Sequence, residues 1–146
     1  MRTMVAITQV TVDGVMQAPG GPEEDPQNGF TWGGWAMIFS DDVLGRVFGE
    51  TVAGEFDLLL GRRTYEIFAG YWPNQDGPIA TAFNKATKYV ATRTLDSLGW
   101  KNSRPICKRL FERGAPPRGL SLIATRSTSK GVLLNTYRPA GPLPNG

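Results

Sequence analysis

Residues 56–66, Phe-Asp-Leu-Leu-Leu-Gly-Arg-Arg-Thr-Tyr-Glu, are the stretch from which the fold of this chain is best predicted. The apolar run 56–60 has little polar alternation, which is typical of a strand buried on both faces. Gly61 interrupts the run, and residues 64–71 then have the pattern of a helix that Pro73 stops. The stretch therefore predicts a buried strand that turns almost directly into a helix.

The residues that follow extend this pair of elements into a parallel sheet. Residues 79–86 are typical of a short helix, and residues 88–92 of a second strand. Two strands joined through a helix predict a βαβ unit with a right-handed crossover. We therefore expect an α/β protein with a mixed, mostly parallel sheet flanked by helices.

Three more elements are predicted outside this unit from alternation, capping and turn residues. They are a strand over residues 5–12 that turns at Asp13 and Gly14, a helix that begins after Ser40 and ends near Gly54, and a C-terminal antiparallel hairpin of residues 120–125 and 132–137 that ends at Pro139. The length of 146 residues fits a single domain over residues 1–146.

Composition excludes several kinds of chemistry. The chain has no histidine, which excludes a Ser-His-Asp triad and the common zinc-hydrolase motifs. Its one cysteine, Cys107, cannot form an internal disulfide or a cysteine-rich metal site, so we expect no metal and a cytoplasmic location. No targeting segment or membrane span is predicted.

The two halves of the chain carry opposite charge. Residues 1–60 contain two Lys/Arg and nine Asp/Glu, whereas residues 61–146 contain 14 Lys/Arg and four Asp/Glu. A basic half can attract a phosphorylated small molecule or a nucleic acid, or it can simply form a solvated surface. No nucleic-acid-binding motif accompanies the scattered cations, so a nucleic-acid partner is not expected.

A candidate anion site follows the two predicted parallel strands. Arg62, Arg63 and Thr64 open the helix after the first strand, where free amides and the helix dipole favour an anion. Thr92 and Arg93 follow the second strand. Ligands of open α/β sheets bind at the carboxyl ends of strands, so these two clusters are expected to grip one phosphorylated ligand. The alternative is two solvent-exposed caps with incidental arginines.

A resemblance to a known family connects these features over nearly the whole chain. The chain resembles the dihydrofolate-reductase-like family, which includes the C-terminal reductase domain of bacterial bifunctional riboflavin-biosynthesis deaminase-reductases. The segments that carry the resemblance are Thr11-Val12-Asp13-Gly14, the acidic loop 19–25, Gly33-Gly34-Trp35, residues 60–66 (Leu-Gly-Arg-Arg-Thr-Tyr-Glu), Tyr71-Trp72-Pro73, Lys88-Tyr89-Val90 and residues 108–112 (Lys-Arg-Leu-Phe-Glu).

The resemblance implies an NADPH-dependent reductase of a pteridine or a ribosylated aminopyrimidine, as in riboflavin biosynthesis. It implies that the cofactor phosphate lies at Gly61, Arg62, Arg63 and Thr64, that Thr92 and Arg93 lie beside the adenosine 2′-phosphate, and that Asp13 and Gly14 cover the nicotinamide. Asp42 lies near the position of the family's catalytic acid, with Asp41 adjacent to it in sequence, and negative charge at a helix start explains both residues equally well. Trp32 and Trp35 are candidates for the wall of the substrate-ring pocket.

The chain departs from the family near residues 100–107. Members of the family continue there with a strand, a glycine-rich turn, a helix and another strand, whereas this chain runs directly into residues 108–112. One βαβ unit is therefore missing, and with it a central strand and part of the dinucleotide site. The missing strand would expose sheet edges, so we expect a second copy to pair with them in a homodimer. We also keep two alternatives: a catalytically impaired remnant that acts as a non-enzymatic dimer, and a phosphate- or nucleic-acid-binding module.

Overall fold

The computed structural model describes residues 4–95, 97–106 and 118–142. Three α-helices and five strands lie within these residues, together with three short 3-10 turns at Gln27–Gly29, Met37–Phe39 and Trp72–Asn74. The elements are α1 (Asp42–Thr51), β1 (Asp57–Gly61), α2 (Arg62–Tyr71), α3 (Pro78–Lys85), β2 (Thr87–Ala91), β3 (Ser103–Ile106), β4 (Arg118–Ser127) and β5 (Leu133–Pro142). Residues 108–112, which contribute to the resemblance described above, lie outside the described residues.

A three-stranded parallel sheet in the order β1-β2-β3 forms the centre of the fold. The predicted parallel pairing of the first two strands through a helix is confirmed, with Gly61 opposite Ala91 at the ends of β1 and β2. Strand β3 was not predicted, because four residues that include Arg104 and Pro105 carry no strand pattern. The coarse α/β class is therefore confirmed, with one parallel strand more than the sequence revealed.

The core lies on one face of this sheet. Leu60 and Val90 are buried there against Tyr65, Phe83 and Trp100. Phe83 is the centre of the aromatic packing, with ring centroids 4.8 to 6.1 Å from those of four other rings: Phe48, Phe56, Phe68 and Trp72. Burial of this much aromatic surface is the main source of stability for the sheet region.

The prediction that β1 is buried on both faces is wrong. Leu58 and Leu60 pack towards the core, whereas Leu59, on the opposite face, keeps 38% of its surface exposed. A continuous apolar run identifies a fully buried strand only where a second layer covers the other face.

The predicted strand over residues 5–12 is also wrong. Residues 4–10 have no regular secondary structure and make no hydrogen bond within the described part of the chain. Their apolar side chains, including Val5, Ile7 and Val10, are exposed. Alternation alone does not make a strand, because each strand needs a neighbour to accept its backbone hydrogen bonds.

The first helix and the hairpin form where expected, with shifted ends. Asp41, rather than Ser40, caps α1 by accepting from the amides of Val43 and Leu44, and the helix ends at Thr51 before Gly54. The hairpin strands β4 and β5 are both longer than predicted, and β5 continues through Pro139. A two-stranded hairpin has a free edge on each strand, where a proline is tolerated.

Candidate functional site

The two arginine-containing clusters meet at the carboxyl ends of β1 and β2. Because Gly61 lies opposite Ala91, the residues that follow each strand are neighbours. Arg62 Nη1 donates a hydrogen bond to Thr94 Oγ1 at 3.2 Å, which joins the start of α2 to the loop after β2. The ends of β1 and β2 therefore lie side by side, with Arg62 and Thr94 in contact.

The start of α2 has open hydrogen-bonding capacity. Gly61 occupies the N-cap position and offers no side chain to the first amides of the helix. Arg62 contacts Glu66 one turn later, at 3.7 Å, and this pair is exposed. Thr64 is exposed as well. Uncapped amides at the positive end of a ten-residue helix, beside a guanidinium, form a favourable place for an anion.

In the loop after β2, Thr92 supports the loop conformation and Arg93 is exposed to solvent. The buried hydroxyl of Thr92 accepts hydrogen bonds from the amides of Thr94 and Leu95, both at 3.2 Å. Thr92 therefore shapes the loop. Arg93 is exposed and makes no hydrogen bond or ion pair with the described residues, so its guanidinium is available to a ligand.

Arg63 points instead to the acidic loop that precedes α1. Its guanidinium forms an ion pair with Asp25 and donates to Gln27 Oε1 at 2.8 Å. The Asp25 side chain is only 15% exposed, so the pair is partly shielded from water. In this structure a carboxylate satisfies the arginine that the sequence assigned to a phosphate.

An aromatic cleft of about 290 Å³ lies in the N-terminal third of the chain. Among the described residues, six line it: Thr11, Asp13, Val15, Phe30, Trp32 and Trp35. Three of the predicted site residues, Asp13, Trp32 and Trp35, are thus brought together. Gly14 lies beside them in the turn, where its φ of 91° requires glycine although a side chain would meet no atoms.

A short hydrogen-bond network connects this cleft with α2. Trp35 Nε1 donates to the carbonyl of Gln17 at 2.9 Å, and Gln17 Nε2 donates to the carbonyls of Asp25 and Gln27, both at 3.0 Å. Those two residues hold Arg63. Sequence reasoning missed Gln17, Asp25 and Gln27 as site residues. The only available signal was the acidic composition of the loop.

Asp42, the predicted catalytic acid, does not join the cleft. It is the exposed first residue of α1 and is not among the residues that line the cavity. Its neighbour Asp41 is fully engaged, since it caps the helix and also accepts from the amide and hydroxyl of Ser129. The backbone hydrogen bond from Leu44 is the largest influence that lowers the pKa of Asp41.

The sequence also gave no indication of a buried lysine on β2. Lys88 is fully buried, and its Nζ donates to the carbonyls of Asn84 and Lys101 at 2.9 and 3.0 Å. The ammonium lies 4.2 Å from the centroid of the Trp100 ring. Burial lowers the pKa of Lys88 to about 8. These contacts join α3 to the loop before β3, so the role of Lys88 is structural.

Comparison with known proteins finds no matching family model and no matching curated protein. In the described residues, no helix has the length and apolar character needed to cross a bilayer.

Proposed function

We propose that this chain is an NADPH-dependent reductase of a pteridine or a ribosylated aminopyrimidine, with the adenosine end of the cofactor held where β1 and β2 end. The observation that supports the proposal is the meeting of the two strand ends, with Arg62 in contact with Thr94. Arg93 and the uncapped amides of α2 complete a cationic surface there. A phosphate group matches both kinds of donor.

The residues present fit the phosphate end of NADPH. Arg62, Arg93 and the first amides of α2 would hold the 2′-phosphate, and bound NADPH supplies the hydride. Arg63 is already paired with Asp25, so its main contribution is to fix the acidic loop against α2. The 2′-phosphate adds charge that NADH lacks, which makes the site selective for NADPH.

The aromatic cleft is the proposed place for the substrate ring. The indoles of Trp32 and Trp35 offer flat apolar surface to a heteroaromatic ring, and the Asp13 carboxylate accepts N–H donors at its edge. Asp42 as the proton donor stays a prediction. Replacing each carboxylate separately with the amide distinguishes them, because only the variant at the reacting carboxylate changes the pH profile of turnover.

Cofactor titration followed by tryptophan fluorescence tests the proposal. We expect saturable quenching by NADPH, and we expect Arg93→Ala to weaken NADPH at least about tenfold while NADH changes little. Arg138→Ala, an exposed arginine on β5, is the matched control and leaves both affinities unchanged. No quenching at millimolar NADPH, or an equal loss for both cofactors, would contradict the proposal.

A second candidate function is a non-catalytic remnant of the same fold. The observation that favours it is the segment 4–10, which pairs with no strand among the described residues. Such a chain would give a stable folded signal without any response to NADPH or NADH.

A further inference from the structure

Gln17 lies between the aromatic cleft and the residues that hold Arg63. Its Nε2 donates to the carbonyls of Asp25 and Gln27, both at 3.0 Å, and its own backbone carbonyl accepts from Trp35 Nε1 at 2.9 Å. An amide nitrogen carries two protons, so these two carbonyls use its whole donor capacity. Gln17 is half-buried, which makes an unpaired group at this position costly.

The cleft wall at Trp35 belongs to a segment that is fastened to Gln17. The amides of Gly34 and Ala36 donate to backbone carbonyls of residues 17–19, at 2.8 and 3.1 Å. Together with the indole contact, these bonds join the two segments on both sides of Trp35. A shift of Gln17 is therefore passed on to the indole that lines the cleft.

Arg63 controls the other end of this connection. Its guanidinium pairs with Asp25 and donates to Gln27 Oε1, and these are the two residues whose carbonyls hold the Gln17 amide. Asp25 Oδ1 also accepts from the amide of Gln27 at 3.1 Å, which makes the two residues one turn. Whatever holds or releases Arg63 therefore acts on the turn to which Gln17 is bound.

We propose that Gln17 is a positioning residue that carries the state of Arg63 to the Trp35 wall of the aromatic cleft. While Arg63 stays paired, the turn at Asp25 and Gln27 holds the Gln17 side chain, and the Gln17 carbonyl holds the indole in place. When Arg63 is removed or drawn away, the turn loosens and the wall of the cleft loosens with it.

A consequence for ligands follows, and it rests on the proposed function. Arg63 is the second residue of α2, so a phosphate group at the start of that helix competes with Asp25 for the guanidinium. Binding of the phosphate thus loosens the cleft wall. By linkage, a nucleotide at α2 and a ring in the cleft weaken each other's binding by the same factor.

Solvent exchange of the Trp35 indole N–H, followed by NMR, measures how firmly the wall is held. We expect Gln17→Met, which keeps the side-chain length and removes both donors, to accelerate this exchange at least about tenfold. Gln75→Met is the matched control, because Gln75 is also half-buried and lies outside the network, and it leaves the exchange unchanged. The Trp100 indole, which donates to Asn84 Oδ1 at 2.7 Å, reports whether each variant is folded.

Transmission from α2 is tested with Arg63→Ala. Arg63 is exposed, so this variant keeps the fold, and exchange at the Trp35 indole should accelerate about fivefold. Arg62→Ala removes the same charge one residue earlier and leaves that exchange unchanged. In a Gln17→Met background, Arg63→Ala should have no further effect, because the connection is already broken.

Three results would overturn the role of Gln17. They are a Trp35 indole that stays as protected in Gln17→Met as in the parent chain, an exchange rate that Arg63→Ala leaves unchanged, and effects of the two substitutions that simply add in the double variant. Additive effects would mean that each residue stabilises the region separately.

Adenosine 2′-phosphate distinguishes this role from the proposed function. Where the nucleotide binds, the amides of Arg62 and Thr64 shift, and we expect faster exchange at the Trp35 indole in the parent chain and no further acceleration in Gln17→Met. Amide shifts without faster exchange would overturn the coupling and leave the proposed function standing. Absence of amide shifts would contradict the proposed function, and the variants without nucleotide then decide the role of Gln17.

Discussion

Of two short apolar runs in this molecule, one lies in a strand and the other has no regular secondary structure. Residues 57–60 of the first run lie in β1, and Leu60 is part of the buried core. Residues 4–10 have comparable β-forming composition, but they are exposed and pair with no strand in the part of the chain that the structure describes. The difference lies in what surrounds them, since β1 has both a neighbouring strand and a helix beside it. Composition makes a strand possible, and a partner makes it form.

The comparison is most severely tested at the centre of the packed region. Phe83 is 3% exposed and touches four aromatic rings, so Phe83→Ala should lower the free energy of unfolding by about 3–5 kcal/mol. Val10→Ala, in the exposed run, should change it by less than about 0.5 kcal/mol when the chain is monomeric. Urea unfolding followed by tryptophan fluorescence measures both. Equal losses would show that the two regions are packed alike.

The buried lysine extends the comparison to charge. The pKa of Lys88 falls from 10.5 when unfolded to about 8 in the folded chain because of burial. Between about pH 8 and 10.5 the unfolded state binds more protons than the folded state. The free energy of unfolding should therefore rise with pH over this range, by up to about 3 kcal/mol.

Lys88→Met removes that titration and serves as the reference for other groups. Unfolding free energies of both proteins, measured between about pH 7.5 and 10.5, should diverge in slope. Parallel pH profiles would mean that the two carbonyl contacts and the Trp100 ring keep the ammonium charged.

A smaller effect is expected at the hydroxyl of Tyr65. It accepts the hydrogen bond of the Trp100 amide at 2.9 Å, inside the core. Tyr65→Phe leaves that buried amide without its acceptor and should cost about 1–3 kcal/mol. Tyr137→Phe, on the half-exposed hairpin, is the control and should be neutral. Hydrogen exchange at the Trp100 amide should accelerate only in the Tyr65 variant.

The smallest effect is expected where the N-terminal third touches the sheet region. Asp25→Asn releases Arg63 from its ion pair. A pair of this kind is worth up to about 1 kcal/mol, so removal of the competing carboxylate should strengthen binding of adenosine 2′-phosphate by up to about fivefold. Isothermal titration at low salt measures the change. Weaker binding would mean that Asp25 positions Arg63 for the ligand.

Local signals in the sequence were sufficient for part of the fold. Gly61, Pro73 and the apolar runs correctly predicted β1, α2, α3, β2 and the hairpin. The signals for these elements lie within them or directly beside them in the sequence. Strand β3 was missed because Arg104 and Pro105 conceal it. Residues 103–106 are extended because they pair with β2, and not because of their own composition.

The candidate site was likewise predictable only in part. The meeting of the two strand ends follows from parallel topology and was expected. The contact of Arg63 with Asp25 joins residues far apart in sequence, and the burial of Lys88 depends on Trp100 and on the end of α3. A local sequence pattern cannot predict contacts between residues that are distant in the sequence.

Amide chemical shifts recorded during titration with adenosine 2′-phosphate test the central claim most directly. If the ends of β1 and β2 hold one nucleotide phosphate, the amides of Arg62, Arg63, Thr64, Arg93 and Thr94 shift together with a single dissociation constant. Adenosine without the phosphate leaves those amides unmoved. Shifts at only one strand end, or none at either at saturating nucleotide, would contradict the account.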